Sequence, residues 1–120
     1  MPSLKKMKAV VCTKYGPPEV LQIQEVEKPI PRDNEVLVKV YATSVSAADS
    51  MVRSFKVPRS IWLPVRLFLG IKKPRKSILG MELSGKVESI GKDVRSFKKG
   101  DQVFAASLQT FGAYAEYICL

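Results

Sequence analysis

Few residues in this 120-residue chain can do chemistry, because it has no histidine and two cysteines. That removes the commonest metal ligand and the commonest general base near neutral pH. Cys12 and Cys119 stand too far apart for a Cys/His zinc motif, and two thiols make no disulfide framework. They read as packed, reduced thiols of a cytosolic protein. Gly80 to Lys86 fits G-x-x-x-x-G-K, but Val87 stands where a phosphate loop needs Ser or Thr for magnesium. The residues after Lys86 alternate like a strand, whereas a phosphate loop opens a helix. Gly80, Gly85 and Gly91 lack the spacing of a dinucleotide fingerprint. These glycines read as turns and strand kinks that need positive φ or close packing.

Charge is the other chemical signal. The net charge is +9, and Arg53 to Lys76 carries eight Lys or Arg and no acid. Such a field favours anions: nucleotide phosphates, nucleic acid or acidic lipid. A solvated basic loop accounts for it equally well. The chain contains no 18-residue apolar run, and its basic start leads into a strand pattern, not a secretory leader. A cytoplasmic protein is expected, with neither membrane nor nucleic acid among its partners.

The elements that must position any site read as mainly β. One domain over residues 1–120 is expected, long enough for a core without staples. Met7–Cys12, Val20–Val26 and Glu35–Ala42 read as strands, with turns at Tyr15-Gly-Pro-Pro18 and Pro29–Asn34. Ser44–Phe55 reads as a short helix capped by Ser44 or Ser46, with Met51 and Phe55 as core. Ser60–Gly70 reads as a second helix: Ser60 as cap, Pro64 near the first turn, Gly70 as stop. Trp62 and Phe68, flanked by basic residues, would make it an amphipathic lid, followed by the basic linker Lys72–Lys76. From Ser77 to Phe104 the turns at Gly91 and Gly100 separate alternating runs, Leu83–Ile90 and Gln102–Ala105, as in antiparallel hairpins. Phe111–Ile118 reads as a last strand with Tyr114 and Tyr117 on opposite faces. The chain stops at Cys119-Leu120 without a polar tail, as expected of a fragment cut at a domain edge.

Six segments in this order resemble the medium-chain dehydrogenases/reductases. They are Met7-Lys-Ala-Val with Gly16–Leu21, Glu35–Val40, Val45–Asp49, Ile78–Gly85, Val94–Val103 and Gly112–Tyr117. The resemblance spans nearly the whole chain except Lys56–Lys76, which looks like an insertion. The branch resembled is the zinc-independent, quinone-oxidoreductase-like one. It implies a GroES-like N-terminal domain, a partly open β-barrel with short helices. In whole members a Rossmann domain follows and binds NADP or NAD, and the active site lies between the two. The resemblance therefore implies half of an oxidoreductase, reducing a quinone, enone or carbonyl together with its own C-terminal Rossmann domain. A homodimer is implied for the whole protein.

The same resemblance supplies candidate residues. Zinc-dependent relatives carry Cys at the position of Ser46 and His at that of Met81, so no zinc is expected; Glu82 is kept. Quinone reductases often carry Asn at Ser46 and Tyr at Met51, which leaves quinone specificity open. Ser46 is the candidate to face the nicotinamide and meet a developing oxyanion, with Asp49 orienting the helix or a water beside it. Both also suit a plain helix cap. Met51, Met81 and Glu82 are the candidate substrate cleft. Two other classes compete: a stand-alone GroES-like interaction module, and a basic anion- or membrane-surface module built on Trp62 and Phe68.

Overall fold

The computed structural model describes residues 5–74, 77–106 and 112–120. It is mainly β, with two short helices. Strands β1 (Lys6–Cys12) and β2 (Leu21–Glu27) form an antiparallel pair. Strands β3 (Val36–Thr43), β4 (Glu82–Ile90), β5 (Gln102–Ala106) and β6 (Tyr117–Cys119) form a four-stranded sheet in the order β5-β4-β3-β6. Helix α1 (Ala47–Ser54) follows β3, and α2 (Trp62–Leu69) follows a 3-10 turn at Arg59–Ile61.

Alternation decides which face of each strand is buried. On β4, Leu83 and Val87 point inward while Glu82, Ser84 and Lys86 point out. Val87 pairs across the sheet with Val38, and both are almost wholly buried. Burial of such a valine stabilises by roughly 1.5–3 kcal/mol. One core gathers Val36, Val38, Leu83, Val87, Ala113 and Ile118. A second gathers Cys12 and Val20 with Val52 of α1, Phe55 at its C-cap, and Leu69 of α2.

Residues 113–116 stitch the two sheets together. Val10 N–H donates to the Tyr114 carbonyl (2.8 Å), Glu116 N–H to that of Lys8 (3.1 Å), and Val40 N–H to that of Glu116 (2.8 Å). The sheets do not close into a barrel.

Several local readings shift. Val20 belongs to a 3-10 turn, and β2 starts at Leu21. The first helix is shorter than Ser44–Phe55 and is capped by Ser46, not Ser44. Ser60 caps nothing, because it lies inside the 3-10 turn and Ile61 occupies the cap position without a side-chain bond. Gly70 does stop α2, at φ 131°. The last strand is only Tyr117–Cys119, although hydrogen bonds from β3 run on to Glu116 and Leu120, and Phe111 lies outside the described residues. Arg75 and Lys76 of the basic linker also lie outside them. Gly85 keeps ordinary φ. Its need is close packing, because a Cβ there would run into the Lys39 carbonyl.

Candidate active site

The register of β3 against β4 places Thr43 opposite Leu83, so the exit of β3 meets the entry of β4. From that exit the chain passes through Ser44 and Ser46 into α1. All polar candidates therefore collect at one end of the sheet.

Ser46 and Asp49 form a capping box. Ser46 N–H donates to Asp49 Oδ2 (2.9 Å), Ser46 Oγ–H donates to the same oxygen (3.0 Å), and Asp49 N–H donates to Ser46 Oγ (3.3 Å). The Ser46 proton is thereby committed to Asp49. Asp49 is only 4% exposed, and among the described residues its Oδ1 has no hydrogen-bond partner. A carboxylate oxygen so buried is costly unless a donor reaches it.

A donor beside Asp49 is Tyr114. Burial first, and then the adjacent Asp49 carboxylate, pushes its phenol well above the usual value of 10. Its hydroxyl donates to the Ser44 carbonyl at 3.2 Å. A phenol has one proton to give. Turned onto Asp49 Oδ1, it would satisfy that oxygen at the expense of Ser44. Gly80 makes room for this tyrosine: its φ is +103°, and a Cβ would lie 2.7 Å from the Tyr114 ring.

A second cluster faces solvent. Ser44 Oγ–H donates to Glu82 Oε2 (2.7 Å), and Thr43 Oγ1–H donates to the Glu82 carbonyl (2.6 Å). Both border an open cleft of about 450 Å³, whose far wall is Phe104 on β5. Phe104 is 87% exposed, an unusual position for an aromatic ring. A larger hollow of about 660 Å³ opens beside Val36, Val94, Phe97 and Leu120, but it holds none of the predicted site residues.

The predicted residues thus part company. Ser46 and Asp49 join directly, and Glu82 lines the cleft through Ser44. Met81 is buried and Met51 sits partly exposed on α1; neither lines this cleft. Among the described residues, no three His, Cys, Asp or Glu stand close enough to hold a metal. Sequence reasoning missed Ser44 as a cleft residue, Tyr114 and Phe104. The outward phase of Phe104 in Gln102–Ala105 was a usable signal. Nothing local reveals Tyr114, since its partner is 70 residues away.

Known proteins agree with this architecture. Residues 32–120 match the alcohol dehydrogenase GroES-like domain family. The chain is 40% identical over 114 residues to the quinone oxidoreductase of Sus scrofa, covering 94% of this chain and 31% of that protein. The quinone oxidoreductase structure from Coxiella burnetii superposes with a TM-score of 0.75 at 32% identity, covering 96% of this chain and 34% of that one. The Escherichia coli quinone oxidoreductase complexed with NADPH gives 0.71 at 29%, covering 94% and 30%. The chain spans about a third of the length of the curated relatives it matches. It belongs to the alcohol dehydrogenase GroES-like domain family, in the quinone-oxidoreductase-like branch of the medium-chain dehydrogenases/reductases.

Proposed function

We propose that this chain is the substrate-side domain of a zinc-independent NAD(P)H-dependent reductase of quinones, enones or carbonyls, working with a Rossmann domain of the same protein. The observation that carries it is the cleft itself: an exposed aromatic ring facing a hydroxyl–carboxylate pair. Relatives that match along the chain include quinone oxidoreductases, one of them complexed with NADPH.

The residues here suit the substrate end of such a cofactor and not its phosphates. Leu83–Lys86 are strand residues paired on both sides, and the Lys39 carbonyl fills the space beside Gly85. A phosphate cradle needs free, convergent N–H groups, which a paired strand does not offer. The nicotinamide, when bound, supplies the hydride. Phe104 offers a face on which a planar acceptor can stack. The reduced oxygen then needs a proton. Ser44 Oγ–H can turn from Glu82 to the substrate oxygen and give up its proton as a solvent water beside the Glu82 carboxylate gives one to Ser44 Oγ, leaving hydroxide in the open cleft. Ser46 and Asp49 fix α1 beside this cleft. Ser46 can meet an oxyanion only by leaving Asp49 Oδ2. Zinc independence rests on the ligand set, since Ser46 and Met81 replace the Cys and His of zinc relatives. The whole protein is proposed to act as a cytoplasmic homodimer.

In the complete enzyme, Glu82→Gln should lower kcat about a hundredfold, as disruption of a proton relay does. Ser44→Ala should do the same. Unchanged turnover in both would remove the relay. A loss in Phe104→Ala confined to KM would leave that residue a binding platform only.

A further inference from the structure

Helix α2 has a surface that does not suit water. Its inner side is well held. Leu69 is buried with Phe55 and Leu79, and Val65 packs on the same cluster. The Arg66 guanidinium lies over the rings of Tyr15 (4.3 Å), Phe55 (4.5 Å) and Trp62 (5.4 Å). Arg66 Nε–H donates to the Ile71 carbonyl (2.6 Å), and the Tyr15 hydroxyl to that of Gly70 (2.9 Å). The helix is therefore clamped at both ends.

Helical spacing turns Leu63 and Phe68 away from Leu69. They are 61% and 65% exposed, and Ile71 just beyond is 60% exposed. An apolar outer face on a clamped helix asks for a cover. Its flanks say which kind. Lys56 and Arg59 precede the helix in the chain, Lys72 and Lys73 follow it, and all four are exposed. No acid occurs between Asp49 and Glu82. Among the described residues none of these four cations is ion-paired.

We propose that α2 and its basic flanks dock on an anionic lipid bilayer. Exposed apolar side chains flanked along the chain by exposed cations match the interface of such a bilayer, where acyl chains lie beneath acidic headgroups. A nucleic acid would call for cations at the centre and has no use for Leu63 or Phe68. No helix among the described residues is long and apolar enough to cross a membrane, so α2 would lie in the interface plane. This departs from the expectation of no membrane partner and takes up the competing membrane-surface reading built on Trp62 and Phe68, and it is independent of the reductase reading.

The test is flotation of the full chain with phosphatidylcholine vesicles, with or without about 30% phosphatidylserine, at low and high salt. Trp62, the only tryptophan, reports entry into the interface by a blue shift of its fluorescence. Expected is at least about tenfold preference for the acidic vesicles, weakening with salt. Leu63→Glu with Phe68→Glu should lower binding about tenfold or more, and Lys72→Glu with Lys73→Glu by a similar factor. Because these side chains point outward, unfolding midpoints should stay put; Leu63→Ser with Phe68→Ser replaces the first pair should it fail to fold. Three results overturn the proposal: no vesicle binding, equal binding to both vesicles, or acidic-vesicle binding that ignores Leu63 and Phe68. A dimer in sedimentation that the Leu63 and Phe68 changes dissolve would overturn it too, giving the face to a second copy.

Discussion

At the scale of single residues, Ser46 carries the sharpest prediction. Its hydroxyl both accepts from and donates to Asp49. Ser46→Ala should therefore destabilise by about 1 kcal/mol, the usual worth of a cap. That is about 4 °C in Tm for a domain of this size. If the hydroxyl also meets the substrate, kcat/KM of the complete enzyme falls as well; a stability loss with unchanged kcat/KM would leave Ser46 a cap alone. The spacing Ser-x-x-Asp made this box legible, and it also selects Ser46 over Ser44, whose third neighbour is Ala47 and has no group to reach back. Tyr114 was not legible as a site residue, because side-chain reach across 70 positions depends on how the sheets meet. A separate pair gives a pH prediction. Lys28 Nζ lies 2.8 Å from Glu88 Oε2 and 3.9 Å from the Tyr117 ring centroid. The bond from Lys28 holds the Glu88 carboxyl below its ordinary 4.5, and the bond to Glu88 raises Lys28 above 10.5. The Glu88 share of stability is complete above about pH 4.5 and is lost as pH falls through the lowered folded value. The Tm gap between the natural protein and Glu88→Gln should accordingly close on acidification; a gap constant down to pH 3, roughly, would contradict this.

At the scale of elements, period-two alternation found the strands that face one core, because burial on one side writes itself into the sequence. It failed where pairing rather than burial sets the limit. Tyr117–Cys119 is a strand because β3 meets it there, and residues 113–116 leave the ladder to bridge the sheets. Gly70 was readable as a stop, whereas Ser60 was not readable as a turn residue, since a 3-10 turn and a capped helix start share the same composition. Two glycines separate strain from contact. Gly80 and Gly100 both hold positive φ, at 103° and 94°. A Cβ at Gly80 strikes the Tyr114 ring and Ala113, while one at Gly100 meets nothing within 4 Å. Gly80→Ala should cost about 2 kcal/mol or more, and Gly100→Ala about 1 kcal/mol. Equal costs in chemical denaturation would mean that Gly80 serves φ alone and does not make room for Tyr114.

At the scale of the molecule, the family was legible because six separated segments held their order, and the fold comes with the family. The site was legible only in part. Ser46, Asp49 and Glu82 lie at the same end of the sheet, but the hydroxyl that touches Glu82 belongs to Ser44 and the opposing ring to Phe104. Met51 and Met81 were named from aligned positions, and position alone does not say whether a side chain reaches the cleft. The proposed enzyme is a reductase expected to work without zinc. Its most direct test is oxidation of NADPH and NADH by the native gene product that carries this chain, offered quinones, enones and aldehydes, with and without a metal chelator. Turnover that the chelator leaves unchanged is expected, with the accepted substrates naming the class. Turnover abolished by the chelator and restored by zinc would contradict the proposal, as would absence of both turnover and nucleotide binding.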